Sequence, residues 1–318
     1  MKRNMTITQT GILFYPVVVL MFMLTGCINE TPNLRDTFLY TCGQQQWQIL
    51  TVELGKGFER IVVWKPHAPQ LIPLRDPLTE NRNQAFDVIR TPSFGATNQE
   101  VLFARNNKLL LYDLKSETIE VLYEYDLTKR SAIYSATLSP DTKTIAFLVY
   151  VGGDSYALYI LDRASKLATN VLPNNVASFG KSNMNISWTP DSRKILYADI
   201  TGKIYMIDIH TLEKTFVIVG FDPLCSPDGQ KLLFAKHQYK PYKGYIYNFS
   251  DHKVKKIRFL NLMNAIWTPD SRYILVAQLN KDVFHWNEWR TRVRVINPNT
   301  QQFATLFTYK GFENLDCK

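Results

Sequence analysis

The chain has 318 residues, of which 46% are hydrophobic and 20% charged, and it carries a formal net charge of +9. Its four cysteines form neither a CxxC motif nor a Cys/His cluster, which argues against a cysteine-based metal site. A basic cytoplasmic chain would favour nucleic acid as a partner, but the N-terminal residues indicate export and argue against that class.

The N-terminal segment has the layout of an export signal. Lys2 and Arg3 precede an apolar stretch at residues 12–24, and Leu-Thr-Gly-Cys follows at residues 24–27. As a helix, the apolar stretch would reach about 20 Å, short of the ~30 Å hydrocarbon core of a bilayer. We therefore expect cleavage and no permanent transmembrane span.

Residues 24–27 resemble the lipobox of bacterial lipoproteins, in which the cysteine receives a diacylglycerol and becomes the new N-terminus. The resemblance implies a signal peptide at residues 1–26, lipidation with fatty acid such as palmitate at Cys27, and a tether at residues 27–35. Ile28 in place of Asp favours the periplasmic face of the outer membrane in an organism with two membranes. The alternative is an ordinary secretory peptide with a buried or paired cysteine.

The expected mature chain stays basic. Loss of residues 1–26 removes Lys2 and Arg3 and no carboxylate, so the charge falls by two, from +9 to +7. Outside the cytoplasm, the acidic partners available are lipid headgroups, lipopolysaccharide and anionic glycans. The simpler interpretation is a basic surface that only keeps the protein soluble.

A Pro-Asp motif recurs along the chain. The four copies are ATLSPDTKTIA (136–146), ISWTPDSRKIL (186–196), PLCSPDGQKLL (223–233) and AIWTPDSRYIL (265–275). Their prolines are 50, 37 and 42 residues apart, a spacing typical of propellers and solenoids. Pro, Asp and Gly or Ser at these positions favour a tight turn between two strands.

A second pair of apolar runs follows each motif, so each unit contains four predicted strands. Two weaker units precede the clear ones, at 38–74 and 93–122. The sequence thus predicts an all-β fold, a six-bladed β-propeller of four-stranded antiparallel blades spanning residues 36–318. We expect packing between sheets for the residues that end the first strands, namely Phe94, Leu138, Trp188, Cys225 and Trp267.

The motifs WTPDSRKILY, CSPDGQKLLF, WTPDSRYILV and LSPDTKTIAF resemble the WD40-like repeats of TolB-like six-bladed propellers. This resemblance covers nearly all of the mature chain and is specific for the fold. Similar repeats occur in periplasmic scaffold proteins, in the propellers of prolyl-oligopeptidase-type enzymes and in oligosaccharide lyases. About ten residues separate Cys27 from the first unit, which leaves no room for the N-terminal α/β domain of TolB.

The remaining cysteines have structural interpretations. Cys42 and Cys317 lie near the two ends of the predicted ring, and we expect a disulfide between them that closes it. The alternative leaves Cys317 in a frayed tail. Cys225 takes the position that tryptophan holds in two sister units, so a buried thiol is expected there.

Signals for catalysis are weak. The chain has no GxSxG elbow and no phosphate-binding glycine loop. His237 and His285 hold comparable positions at the ends of second strands, which is a weak signal for a lyase-type metal. The recurring aspartates are explained by the turns. No cofactor, metal or catalytic residue is therefore expected.

The predicted partner site lies in two long loops between second and third strands, at 236–244 and 280–292. Consecutive units would place the loops side by side, with aromatic rings among cations, a composition typical of interaction hot spots. The residues of this predicted rim are Lys236, Tyr239, Lys240, Tyr242, Lys243, Trp286, Trp289, Arg290 and Arg292. Ordinary solvated loops are the alternative.

The sequence favours a lipid-anchored, non-enzymatic envelope scaffold that binds another protein through this rim. An envelope carbohydrate-binding protein or a propeller-type polysaccharide lyase remains the alternative.

Overall fold

The computed structural model describes most of the chain after the predicted signal peptide and tether. The described residues are 32–46, 48–55, 58–65, 68–73, 89–97, 99–105, 107–126, 133–152, 155–177, 186–236, 243–261, 265–281, 289–310 and 315–317. The predicted signal peptide and Cys27 lie outside this set, so the lipidation remains a prediction.

The described strands form six four-stranded antiparallel sheets. Sheet 1 contains β1 (Ile49–Gly55), β2 (Phe58–Lys65), β3 (Ala68–Pro73) and β24 (Leu315–Cys317). Sheet 2 contains β4 (Ile89–Phe94), β5 (Glu100–Arg105), β6 (Lys108–Asp113) and β7 (Thr118–Glu124). Sheet 3 contains β8 (Ile133–Leu138), β9 (Thr144–Gly152), β10 (Ser155–Asp162) and β11 (Ala168–Ala177).

The C-terminal half continues the same order of strands. Sheet 4 contains β12 (Ser187–Trp188), β13 (Lys194–Ala198), β14 (Lys203–Asp208) and β15 (Lys214–Val219). Sheet 5 contains β16 (Phe221–Cys225), β17 (Lys231–Ala235), β18 (Lys243–Asn248) and β19 (Val254–Asn261). Sheet 6 contains β20 (Ala265–Trp267), β21 (Ile274–Lys281), β22 (Trp289–Ile296) and β23 (Phe303–Lys310).

The sheets are arranged as a closed ring. The first strands form its inner circle, in which β4 contacts β8, β16 contacts β12 and β20, and β24 contacts both β20 and β4. Sheets 3 and 4 meet through a core cluster that includes Leu148, Tyr156 and Trp188. The order of the sheets around the ring is therefore their order in the sequence, with sheet 1 opposite sheet 4 and sheet 3 opposite sheet 6.

Ring closure corrects the predicted count of blades. Sheets 2 to 6 are five blades of four consecutive strands each, whereas sheet 1 is composite and takes its inner strand from the C-terminus. Ile49 pairs with Cys317 and Thr51 with Leu315, so hydrogen bonding joins the two ends of the fold. The four-stranded antiparallel blades are confirmed, and the predicted count of six blades is wrong, because five blades are built from consecutive strands and sheet 1 is composite.

Part of the first predicted unit is helical. Helix α1 (Pro32–Gln44) begins with proline at a position where its missing N–H costs nothing, and a residue with φ 55°, Gln46, follows its end. Leu34, Phe38 and Cys42 are spaced by four residues and are buried on one face of the helix. The helix also crosses residues 35 and 36, the predicted boundary between tether and propeller.

Helix α1 fills the closing interface of the ring. Its buried face packs with Ile49 of sheet 1 and with Leu275 and Val293 of sheet 6 in one core cluster. The Phe38 ring meets the Tyr273 ring edge to face at 5.7 Å, and Arg35 donates to the Leu306 carbonyl oxygen at 3.4 Å. The helix therefore covers the outer strand of sheet 6.

The residues predicted to end the first strands do so in sheets 2 to 6. Phe94, Trp188, Cys225 and Trp267 are buried, and the last three share core clusters with residues of the preceding sheet. The indole N–H of Trp188 donates to the Thr137 carbonyl oxygen, and that of Trp267 to the Leu224 carbonyl oxygen. The two tryptophans thus bind sheets 4 and 6 to the inner strand of the preceding sheet.

Candidate functional site

The Pro-Asp turns lie on one face of the ring, here called the turn face. In each, the Asp carboxylate accepts a hydrogen bond from a Ser or Thr hydroxyl two residues earlier and from a backbone N–H two residues later. Hydrogen bonds from the Ser139 and Thr189 hydroxyls lower the pKa values of Asp141 and Asp191 below the ordinary value for aspartate. These aspartates are used by the turns, as the sequence predicted.

Some neighbouring turns are also linked. The backbone N–H of Asp141 donates to Ser192 Oγ, and that of Asp228 donates to Ser271 Oγ, both at 2.9 Å. Gly229 has φ 71° at the matching position of sheet 5, and a Cβ there would lie 3.1 Å from Pro190 Cγ. Close packing of backbone on proline thus replaces the hydroxyl link between sheets 4 and 5.

The turns between third and fourth strands share a second pattern on the same face. Each begins with an Asp or Asn whose side chain accepts backbone N–H groups two or three residues later, at Asp113, Asp162, Asp208, Asn248 and Asn297. A residue with positive φ follows four positions after each, at Glu117, Lys166, Leu212, His252 and Gln301. Both kinds of turn on this face are therefore used for folding.

The opposite face, here called the loop face, carries the predicted rim. Lys236, Lys243 and Arg292 are the rim residues with described side chains, and all three are exposed. Ala235 pairs with Gly244, which puts Lys236 and Lys243 opposite each other at the open end of the sheet 5 hairpin. None of the ion pairs among the described residues involves these three cations.

The rest of the rim is described only in part. Tyr239, Lys240, Tyr242 and Trp286 lie outside the described residues, and Trp289 and Arg290 are described as backbone. Both belong to β22, where Trp289 pairs with Lys281 and Arg290 with Asn280. Residues 280–281 and 289–292 of the predicted loop are therefore extended strand, because the alternating residues 289–296 continue the ladder.

Lys236 is held by an aromatic ring. Its Nζ lies 4.8 Å from the centroid of Tyr245, one strand over in the same sheet. A cation above a ring is partly desolvated and oriented. The rim thus presents three exposed cations, one of them positioned over a ring, which suits an acidic partner.

Sequence analysis missed a second long hairpin on the loop face. The strand β9 runs up to Gly152, and β10 begins at Ser155. Tyr156 lies 5.1 Å from Tyr134 and 5.4 Å from Tyr150, measured between ring centroids. Tyr150 and Tyr156, on either side of Gly152 and Gly153, could have indicated this aromatic cluster in sheet 3, opposite sheet 6.

An unusual aspartate lies in the inner strand of sheet 5. Asp222 has φ 51° at a bulge between Phe221 and Leu224. The Phe221 ring packs on Gly202 so closely that a Cβ there would overlap it. The residue keeps some exposed surface, but burial of its carboxyl raises the pKa of Asp222 to about 7.

The cysteines occupy the closing region and one sheet interface. Cys42, within the first predicted unit, lies buried in α1 and shares a core cluster with Ile49, the residue paired with Cys317. The two predicted disulfide partners thus lie in neighbouring segments, and their pairing stays a prediction. Cys225 is buried as expected, and burial raises the pKa of its thiol to about 12.

The described histidines have turn positions. His210 and His252 lie in turns between third and fourth strands, and His252 Nδ1 is hydrogen-bonded to the Tyr247 hydroxyl at 2.5 Å. His67, His237 and His285 lie outside the described residues. Within the described ranges, no group of three His, Cys, Asp or Glu side chains has the geometry of a metal site.

The part of the chain with described coordinates contains no helix with the length and hydropathy needed to cross a bilayer.

No family model matches the sequence, and no curated protein matches it. Solved structures do match the fold. TolB from Acinetobacter baumannii aligns with a TM-score of 0.66 at 14% identity, over 85% of this chain and 66% of that protein. A protein named as a TolB from Agrobacterium tumefaciens aligns with a TM-score of 0.55 at 17% identity, over 83% of this chain and 90% of that one.

An enzyme shares the architecture as well. An oligogalacturonate lyase in complex with manganese aligns with a TM-score of 0.56 at 11% identity, over 80% of this chain and 72% of that protein. These identities are too low to carry a function. The comparisons show that the chain has the β-propeller fold found in TolB proteins and in an oligogalacturonate lyase, and that it spans slightly less than two thirds of the Acinetobacter protein.

Proposed function

We propose that the protein is an envelope-anchored lipoprotein whose propeller is a non-enzymatic scaffold for binding another protein. The carrying observation is the contrast between the two faces: on the turn face the carboxylates and hydroxyls repeat in hydrogen bonds within the turns, whereas the loop face has extended hairpins of differing length with exposed Lys236, Lys243 and Arg292. The TolB-like fold is consistent with this proposal. The cations suit an acidic partner surface.

The proposed anchor has a defined position relative to the ring. Cys27 precedes the start of α1 by five residues, which reach at most about 18 Å when extended. Helix α1 packs between sheets 6 and 1. An acylated Cys27 would therefore hold the closing interface near the membrane surface.

Lipidation can be tested separately. Cells supplied with an alkyne-bearing fatty acid should label the wild-type protein and leave the Cys27→Ser variant unlabelled and released from membranes. Equal labelling of both proteins would remove the anchor from the proposal while leaving the scaffold intact.

The scaffold is tested by charge reversal on the loop face. Lys236→Glu, Lys243→Glu and Arg292→Glu together should abolish co-purification of a specific partner from native envelopes. The matched control is a triple reversal on the turn face at the exposed residues Lys115, Lys143 and Lys253. Unchanged recovery with the first variant, or equal loss with both, would contradict the proposal.

The aromatic part of the rim needs its own variant. Trp286→Ala with Trp289→Ala should also abolish partner recovery while the circular dichroism of the ring stays unchanged.

A carbohydrate-binding protein or a propeller-type lyase is the second candidate. It is supported by the fold shared with the oligogalacturonate lyase and by the sequence positions of His237 and His285. A stoichiometric divalent ion that is lost in His237→Ala would favour the lyase. Binding to anionic oligosaccharides without metal would favour glycan recognition.

A further inference from the structure

The outer strand of sheet 4 has an unusually apolar free edge. After Lys214, β15 reads Thr-Phe-Val-Ile-Val, with no charge and no proline. Phe216 is 53% exposed and Val219 is 57% exposed. An outer strand presents unpaired N–H and C=O groups, and proteins normally protect such edges against pairing with another chain.

The described outer edges of the other sheets carry such protection. β3 contains two prolines and β11 contains Pro173. In β7, Glu120 forms an ion pair with Lys166 of sheet 3 at 2.7 Å. β19 carries Lys255 and Lys256, and α1 packs on β23.

Phe216 ends a row of rings across sheet 4. The Tyr197 and Tyr205 rings are stacked with centroids 5.9 Å apart, and the Phe216 ring meets Tyr205 at 5.8 Å. In sheets 3, 5 and 6, the residue seven positions after the turn proline begins the equivalent row of paired residues across the sheet. These rows end on the outer strand at Asn170, Lys256 and Thr305. Sheet 4 therefore has an exposed aromatic ring where three sister sheets have a polar residue.

Charges at the ends of β15 define what would pair with it. Lys214 begins the strand, and Lys203 pairs with its last residue, Val219. Both lysines are exposed, and no ion pair among the described residues involves them. If two copies of β15 paired antiparallel, Lys214 of one copy would face the end of the other copy's strand, where Lys203 lies. This arrangement would bring like charges together, although Glu213 precedes Lys214.

Position in the ring leaves this edge accessible. Sheet 4 lies opposite sheet 1, where α1 and the proposed anchor are located. A strand added to β15 would therefore contact neither the closing interface nor a membrane next to it.

We propose that β15 is a docking edge that takes an extended segment of a protein partner, whose apolar centre is flanked by carboxylates. The segment adds a fifth strand to sheet 4, its backbone pairs with β15, and an apolar side chain covers Phe216. Its carboxylates meet Lys214 and Lys203. This edge is separate from the loop-face rim, so the two surfaces can be occupied together.

The test uses the full mature protein and a labelled synthetic peptide, Glu-Asp-Val-Thr-Val-Phe-Val-Asp-Glu. Binding is followed by fluorescence anisotropy, and hydrogen exchange locates the protected amides. We expect protection of residues 214–219. A control peptide with lysine in place of every Glu and Asp should bind at least about tenfold more weakly.

The informative variant is Phe216→Lys, because sheet 5 already has lysine at this position. It should fold normally and raise the Kd for the acidic peptide at least about tenfold. Val121→Lys, at another exposed valine of an outer strand, should leave the Kd within about twofold. The loop-face triple reversal should also bind the peptide as wild type does.

Several results would overturn the proposal. Absence of binding, or binding that Phe216→Lys leaves unchanged, would remove the docking edge. A wild-type dimer that Phe216→Lys dissociates would assign the edge to a second copy. Dependence of peptide binding on Lys236, Lys243 and Arg292 would move the interaction to the loop face and leave the proposed scaffold function standing.

Discussion

The two faces of the ring differ in what their polar residues do. On the turn face, carboxylates and hydroxyls are hydrogen-bonded in the same way in blade after blade, as at Asp141 and Asp191. On the loop face, hairpin lengths differ between sheets, and Lys236, Lys243 and Arg292 stay exposed. Repetition on one face marks residues that the fold requires, and variation on the other marks residues available for binding.

The largest expected effect is on the free energy of unfolding, and it distinguishes a buried residue of the inner ring from an exposed residue of the loop face. Trp267→Ala removes a side chain that is 5% exposed and hydrogen-bonded to Leu224, and should lower the free energy of unfolding by about 3–5 kcal/mol. Arg292→Ala should change it by less than about 0.5 kcal/mol. Urea denaturation of both variants measures the difference, and equal losses would contradict the assignment of roles.

Asp222 lies at the loop-face end of an inner strand and should make the free energy of unfolding depend on pH. The unfolded carboxyl loses its proton near pH 4, but the folded pKa is about 7, so the protein loses stability as pH rises between these values. Asp222→Asn removes this loss and tolerates the positive φ. We expect the variant to gain about 1–3 kcal/mol at pH 8 relative to wild type, since residual exposure reduces the full linkage value.

The control for this prediction is the same comparison at pH 4, where both side chains are neutral in the folded protein and the gain should be absent. Thermal unfolding from pH 4 to pH 8 checks it. A constant difference across this range would show that the folded pKa of Asp222 is ordinary.

A turn aspartate should show the opposite pH dependence. Asp191→Ala removes acceptors for the Thr189 hydroxyl and the Arg193 N–H and should cost about 1 kcal/mol at pH 7. Because the folded pKa is lowered, this contribution is present above pH 4 and declines as pH falls through the folded pKa. Chemical denaturation at pH 7 and pH 3 measures it, and Asp36→Ala on the exposed side of α1 is the control.

The smallest expected effects concern the links between turns. Ser271→Ala loses the acceptor for the Asp228 N–H and should cost about 0.5–1 kcal/mol. Gly229→Ser would supply the hydroxyl that sheets 4 and 5 lack, yet should also destabilise, because φ is 71° and the new Cβ would crowd Pro190. Stabilisation by Gly229→Ser, measured by thermal unfolding, would show that close packing is not what fixes this turn.

The sequence predicted features that depend on local chemistry. The Pro-Asp turns and the buried ends of inner strands, such as Trp188 and Trp267, follow from residue types at fixed spacing. Helix α1 was missed because Leu34, Phe38 and Cys42 lie four apart among aromatic residues that also suit a strand. The composite sheet was missed because β24 has three residues, and only closure of the ring gives it a partner.

The candidate site was predicted less completely than the fold. Exposed Lys236 and Lys243 follow from the length of the loop that they flank. The extended strands around Trp289, the tyrosine cluster at Tyr156 and the apolar edge at Phe216 depend on which sheets adjoin and which strand is outermost. A single sequence contains no direct signal for those long-range relations.

The most direct test of the scaffold is site-specific photocrosslinking in intact native cells. A photoreactive residue at position 243 or 292 should give one crosslinked species of defined mass, whereas the same residue at turn-face position 115 or 253 should give none. Mass spectrometry then identifies the partner. Identical products from both faces, or no product from the loop face in cells that retain the wild-type phenotype, would contradict the account.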